Sequence, residues 1–284
     1  MIYFCADDYG LNKIASMRIQ KCIDEGALNK VSIFPNFSSL NSLDFEKISQ
    51  NKKVDISLHL NLVEGKCTLD ARDINLIADK NGNFKYSFVG LFFKSLFNKR
   101  KFEAQVYKEI KSQILLWKKI LPKNCGFLID SHQHTHMIPS IFKTIIKVLK
   151  EEKINLKYLR IPAEPIYPFI KTPSLYFTYK PVNLIKQWLL KFLWRVNKRY
   201  TKGYKIPTAC FFGILFSGKM DEKRVGKVLP HYIKLAEKKG KDIEVLFHPG
   251  YLYKDEVTLA DDLCFKKFYL SKDRKTEFDT VIKL

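Results

Sequence analysis

Two adjacent carboxylates, Asp7-Asp8, followed by Tyr9-Gly10, are the first residues in the chain whose types suggest chemistry rather than packing. One carboxylate can bind a metal while its unligated neighbour takes a proton; forced together without a cation, the two repel. A plain turn with an aspartate helix cap is the structural alternative. Asp130-Ser131-His132-Gln133-His134-Thr135-His136 packs three of the six histidines into seven residues. Neutral imidazoles beside a carboxylate suit zinc, manganese, cobalt or iron, and three protein ligands leave a coordination position for water. Two geometries stay open for this stretch. Extended backbone puts His132, His134 and His136 on one side, whereas a helical turn pairs His132 with His136. In Ser57-Leu58-His59-Leu60-Asn61-Leu62 the alternation places Ser57, His59 and Asn61 on one face of a strand, opposite the leucines. His248 is followed by Pro249-Gly250-Tyr251, a tight turn that would hold its ring still in a position suited to a general acid. Arg160 can orient a free carboxylate or hold a substrate, or be an interior salt bridge.

These residues share a position. Short apolar stretches rich in strand formers recur at Ile2–Ala6, Val31–Phe34, Val54–Leu60, Phe127–Ile129, Tyr158–Ile161, Phe211–Phe216 and Glu244–Phe247. Between them lie helical stretches. Asn12 caps one reaching Asp24, Phe102 to Ile120 is long and amphipathic, Pro139 opens one to Lys150, and Asp221 opens one to Lys239. Asp7-Asp8 follow the first strand, His59 ends the third, Asp130 and His132 follow the fourth, Arg160 ends the fifth and His248 follows the seventh. In a parallel β/α barrel the carboxyl ends of all strands open at one mouth, so residues distant in sequence meet there. The expected fold class is therefore α/β, a single-domain β/α barrel of TIM-like, irregular form with inserted loops. It spans 1–284, with basic insertions near 70–101 and 180–205.

At 284 residues, 46% hydrophobic and 28% charged, the composition is that of an ordinary folded protein and excludes disordered, collagenous and disulfide-scaffold classes. The six cysteines, Cys5, Cys22, Cys67, Cys125, Cys210 and Cys264, are widely spaced with no Cys-x-x-Cys pair, which points to reduced, mostly buried thiols. No apolar stretch approaches the roughly 18 residues of a membrane span. No basic leader precedes Asp7, so a cytoplasmic location is expected. The net charge of +21 is compatible with nucleic acid, anionic lipid or an acidic substrate. Nucleic acid is the weakest of these, because no zinc finger, RNP-like aromatic motif or helix-turn-helix accompanies the charge.

Four motifs in order, Ala6-Asp7-Asp8-Tyr9-Gly10, Leu58-His59-Leu60, Asp130 to His136 and His248-Pro249-Gly250-Tyr251, resemble the YdjC-like carbohydrate deacetylase family, also called the ChbG/HpnK family. Weaker similarity at Leu159-Arg160-Ile161-Pro162 and Phe212-Gly213 extends the likeness along nearly the whole chain. The resemblance implies a β/α-barrel hydrolase that removes N-acetyl groups from an amino sugar, with oligosaccharides and glycolipid or cell-surface polysaccharide precursors as substrates. It implies one divalent metal ion on Asp8, His59 and His132, Asp7 as general base and His248 as general acid. The family is usually described with Mg2+, whereas two imidazoles and a carboxylate suit Zn2+, Co2+ or Mn2+ better. By position, Asn61, Asp130, His134, His136, Arg160 and Tyr251 are expected to line the pocket or support it. A homo-oligomer is compatible with the resemblance. The rival readings are another metal-dependent amidase or a phosphoesterase on the same barrel.

Lys180 to Lys205 contains eight basic and no acidic residues, interleaved with Leu184, Trp188, Leu189, Phe192 and Trp194. Such a segment can lie on the anionic inner face of a membrane, or can be a barrel helix whose apolar side packs inward. Tyr86 to Lys101, similarly basic and phenylalanine-rich, is expected to be a loop beside the pocket.

Overall fold

The protein is described by a computed structural model covering residues 1–36, 48, 54–123, 125–257 and 266–284. Seven parallel strands form one sheet: β1 (Ile2–Tyr9), β2 (Lys30–Ile33), β3 (Asp55–Leu60), β4 (Phe127–Ser131), β5 (Leu156–Leu159), β6 (Cys210–Phe212) and β7 (Ile243–Phe247). Their order is β5-β4-β3-β2-β1-β7-β6, so neighbours follow the chain around the sheet from β1 to β5 and back from β7 to β6. The sheet curls. Leu159 at the end of β5 donates its N–H to the carbonyl of Pro207, just before β6, at 3.0 Å, and Leu128, Tyr158 and Ala209 pack together across that seam. No strand ladder joins β5 to β6 among the described residues. The expected barrel is thus an α/β half-barrel of seven strands among the described residues.

The strands and helices arise for ordinary reasons. Strands buried on both sides are rich in Val, Ile, Leu and Phe, while polar residues of β3 and β4 face the interior of the curl. Asn12 caps Lys13–Asp24 by accepting N–H bonds from Ile14 and Ala15, and Asp221 caps Glu222–Lys239 through the N–H of Arg224. Pro139 opens Pro139–Glu151. The long helix, Lys99–Ile120, begins three residues before its expected start. It is preceded by a helix at Phe88–Phe97, where a loop was expected. One contiguous apolar cluster, containing Trp117, Phe142, Phe212 and Tyr232 among others, joins sheet and helices.

The expected strand Phe211–Phe216 stops at Phe212. The reason is a buried carboxylate. Glu164 accepts the N–H groups of Gly213 and Ile214 on one oxygen and of Leu215 on the other, at 2.7, 3.1 and 2.8 Å, so these donors are unavailable to a ladder. Cys5, Cys22, Cys67, Cys125 and Cys210 are all thiols outside any disulfide; Cys264 lies outside the described residues.

Candidate active site

The two aspartates of β1 do not point to opposite faces, as extended backbone would direct them. The register between β1 and β2 shifts between Ala6 and Tyr9, and Asp8 adopts a left-handed φ of 71°, a bulge that re-aims one side chain. Both carboxylates therefore approach the same ring: His59 Nε2 lies 3.5 Å from Asp8 Oδ1 and 4.0 Å from Asp7 Oδ2. Gly10, with φ 94°, takes the chain out of the bulge.

His59 and Asp130 stand opposite each other in the β3–β4 register, so their side chains share the interior face. Asp130 Oδ1 lies 2.5 Å from His59 Nδ1, and its Oδ2 accepts the Ser32 hydroxyl at 2.6 Å. With Nδ1–H donating to Asp130, the His59 Nε2 lone pair faces Asp7 and Asp8, and this buried nitrogen has no hydrogen-bond partner among the described residues. His132 repeats the arrangement. Its Nδ1 lies 3.0 Å from Asp8 Oδ1, and its Nε2 lies 3.1 Å from Glu64 Oε2. Each imidazole thus turns one nitrogen toward Asp8 and the other toward a carboxylate that fixes its tautomer, the usual support for a metal-binding histidine.

Asp8, His59 and His132 are buried and offer one ligand atom each within 4.8 Å of one another. A second group, Asp7, His59 and Asp130, meets the same distance criterion. Its carboxylates are already engaged. Arg160 donates to both oxygens of Asp7, at 2.7 and 2.9 Å, and Asp130 holds Ser32 and His59. Asp8 is different, because Arg274 takes only its Oδ2, at 2.5 Å, and leaves Oδ1 to the two histidines. The first set therefore has the ligand atoms least committed to other partners.

Charge supports the same conclusion. The buried carboxylates Asp7, Asp8, Glu64, Asp130 and Glu244 face three permanent cations, Lys30, Arg160 and Arg274. The formal surplus of two negative charges matches one divalent ion, or protons on both histidines. Burial alone would push the His59 pKa down, but Asp7, Asp130 and Asp8 outweigh it and push it up to about 10. His132 is likewise raised against its burial by Asp8 and Glu64. Burial works to raise the Asp8 pKa, yet Arg274 and the two histidines hold it well below the usual carboxylate range.

Arg160 is the hub beneath the site. Besides Asp7 it donates to Glu244 Oε1 through Nε at 3.0 Å and through a terminal nitrogen at 2.7 Å. Glu244 in turn accepts from Lys30 and from the Tyr158 hydroxyl. His136 serves this hub rather than a pocket. Fully buried, it takes the Ser131 hydroxyl on Nδ1 at 2.6 Å and donates Nε2–H to the Arg160 carbonyl at 2.9 Å. Burial lowers its pKa to about 4, so it stays neutral.

The histidine-rich stretch is neither extended nor a regular helix. It is a 3-10 turn interrupted by left-handed φ values at Gln133 and His134, 51° and 56°. Two successive non-glycine residues in that region cost on the order of 1 kcal/mol each. The kink sends His132 to Asp8 and His136 back to Arg160, while His134 sits edge-on to Phe211 at 5.8 Å. His134 is kept neutral chiefly by burial, and next by Arg160.

Asn61 and Tyr251, expected to line the pocket or support it, take different places. Asn61 is fully buried; its Oδ1 accepts the N–H groups of Val63 and Glu64, and its Nδ2 donates to the Glu64 carbonyl. It builds the loop that presents Glu64. The Tyr251 ring lies under the guanidinium of Arg18, 3.7 Å from centroid to carbon, and packs against Phe278, so it faces the outer helices. His248 follows β7, whose Phe247 pairs with Ala6 of β1, so it stands on the strand next to Asp7. Its N–H donates to Glu277 at 2.6 Å, its Nδ1 lies 3.6 Å from the same carboxylate, and its ring meets the edge of Phe268.

Four participants were missed: Glu64, Tyr269, Arg274 and Glu277. Tyr269 donates its hydroxyl to Glu64 Oε2 at 2.6 Å. Arg274 and Glu277 come from the helix Lys272–Lys283, where both are buried with Thr280 and Val281. Charged residues on the same helical face as Val281 were the available signal. Replacing Glu64 by glutamine keeps the shape but weakens the support of His132. Metal affinity of Glu64→Gln is expected to fall about 10- to 100-fold, read by competition with a chromophoric chelator.

The chain is 25% identical over 177 residues to a protein named carbohydrate deacetylase from Clostridium beijerinckii, covering 60% of this chain and 64% of that one. It is 29% identical over 181 residues to one so named from Vibrio parahaemolyticus, covering 62% and 64%. To a Xenopus laevis protein of the same name it is 29% identical over 161 residues, covering 56% and 49%. The matched stretches thus span between half and two thirds of these relatives. A crystal structure from Enterococcus faecalis, described as a candidate cellobiose-phosphate cleavage protein, shares the fold with a TM-score of 0.68 at 15% identity, over 99% of this chain and 90% of that one. A sequence model described as YdjC-like protein matches residues 1–283. With its histidines and aspartates gathered at the strand ends, the chain belongs to the YdjC-like family.

Proposed function

We propose that the protein hydrolyses the acetamide of an N-acetylated sugar, with Asp8, His59 and His132 holding one divalent ion. The observation that carries this reading is the His59 Nε2, without a hydrogen-bond partner among the described residues and turned with His132 Nδ1 toward a single oxygen of Asp8. Bound there, the ion would polarise the acetyl carbonyl and lower the pKa of a water. Asp7, held by both oxygens on Arg160, accepts the proton as water adds to the amide carbon. His248 gives a proton to the nitrogen as the C–N bond breaks, and acetate and a free amine leave. The two nitrogens and one oxygen suit zinc, cobalt or manganese better than magnesium. A two-metal phosphoesterase is the less favoured reading, since the second candidate group has its carboxylates already bonded to Arg160 and Ser32.

The experiment is acetate release by metal-loaded protein from a panel of N-acetylated saccharides, glycolipids, non-sugar acetamides and phosphate esters. Turnover of the acetylated sugars is expected. Turnover of phosphate esters alone, with two ions per chain, would contradict the proposal.

Ion binding also carries a pH signature. With its pKa up to about 10, His59 is protonated at pH 7 in the metal-free protein, whereas a ligand imidazole must be neutral. Binding therefore releases at least one proton, and affinity rises with pH until the pH passes about 10. Calorimetry in two buffers of different ionisation enthalpy measures the release; identical heats in both would count against the assignment.

A further inference from the structure

The helix Pro181–Asn197 is built inside out. Its buried face carries Asn183, Gln187 and Asn197 with Leu190 and Leu193. The three amides reach backbone carbonyls of Leu215, Ser217, Glu164 and Met137. Its outward face carries Val182, Ile185, Trp188, Leu189 and Phe192, with Trp188 70% and Phe192 59% exposed. The helix does pack Leu190 and Leu193 inward with Leu184 and Trp194 against the core, as a barrel helix would, but a second apolar stripe is left outside. The helix Phe88–Phe97 shows the same feature, with Phe93 and Phe97 stacked on each other and exposed.

Both helices pack against the turn His132–Met137 that carries His132. Gln133 and Met137 tie that turn to Phe88 and Asn197, respectively. The apolar surface therefore borders the mouth of the site. Within the two segments the charge is of one sign: eight basic and no acidic residues lie from Lys180 to Lys205, and six basic and no acidic ones from Lys80 to Phe102, with Lys180 paired to Asp273 from the helix Lys272–Lys283. Lys99, Arg100, Lys101, Arg195, Lys198 and Arg199 are exposed. Exposed aromatic residues flanked by cations, with no carboxylate among them, are what an interfacial helix presents to anionic lipid. A protein partner would more often find a mixed-sign rim.

We infer that this face docks on an anionic lipid bilayer, with the outward faces of Pro181–Asn197 and Phe88–Phe97 in the headgroup region and the catalytic mouth beside it. The inference goes beyond the deacetylase reading and does not depend on it, because vesicle binding and acetate release are separate measurements. The test is flotation of the metal-loaded full chain with vesicles of phosphatidylcholine alone and of phosphatidylcholine mixed with phosphatidylglycerol. The protein is expected to float with the anionic vesicles and to be released by high salt. The variant Trp188→Glu/Phe192→Glu should bind at least about tenfold less, with unchanged circular dichroism and unchanged turnover of a soluble substrate. Wild-type protein that stays with the dense fraction would overturn the inference, as would a variant that binds equally well. So would a dimer in light scattering that the double variant splits without any flotation of wild type, since the face would then belong to a second copy.

Discussion

Asp7→Asn is expected to lower turnover about 10²- to 10⁴-fold while the purified variant still carries one divalent ion per chain. The amide keeps the size of the carboxylate and one acceptor oxygen for Arg160, but it cannot take up a proton. Arg160 retains Glu244 at 2.7 Å and lies 3.4 Å from Asp130, so its buried charge is not abandoned. Alanine at the same position would be a poorer choice, because it removes both hydrogen bonds to a fully buried guanidinium. Steady-state kinetics with metal analysis on the same preparation makes the check. Near wild-type turnover would remove Asp7 from the chemistry, and loss of the ion would make it a ligand.

His59→Ala has a different signature. It deletes one of two nitrogens aimed at Asp8, so both bound metal and turnover are expected to fall to background. His132 and Asp8 remain, but a two-ligand site with Arg274 on the other oxygen of Asp8 has little hold on a divalent ion. Asp130 keeps Ser32 and the nearby Arg160, so the variant should stay folded by circular dichroism. The contrast between the two variants is the informative part: one keeps the ion without turnover, and the other loses both.

Much of the site was legible because of where strands end. Asp7, Asp8, His59, Asp130, His132 and Arg160 each follow or close an apolar stretch, and a curled parallel sheet brings such positions to one mouth whether or not it closes. The cross-strand pairing of His59 with Asp130 follows from register. What could not be read depends on backbone that departs from regular geometry. The bulge at Asp8 turns two adjacent carboxylates to one side, and the kink at Gln133-His134 separates His132 from His136, which either regular conformation would have grouped. Glu64 sits in a loop shaped by Asn61, so a residue expected to line the pocket or support it positions the one that supports His132. Arg274 and Glu277 come from a terminal helix whose contact with β1 and β7 is entirely tertiary. The short β6 has a related reason: Glu164 accepts the N–H groups that would have extended it.

The inside-out character of Pro181–Asn197 was also beyond a reading of composition. Its lysines and aromatic residues are visible in the sequence, but which face turns inward is decided by Asn183, Gln187 and Asn197 finding backbone carbonyls. With the amide nitrogens bonded to those carbonyls, part of the apolar stripe is left to face outward.

The central claim is that a single cation is gripped by one carboxylate of β1 and imidazoles from the ends of β3 and β4. Anomalous diffraction from crystals of zinc- or manganese-loaded protein, collected on either side of the metal edge, tests it most directly. One peak bounded by Asp8 Oδ1, His59 Nε2 and His132 Nδ1 is the predicted result. A map with no peak there, or with the ion bound elsewhere while acetate is still released, would contradict it.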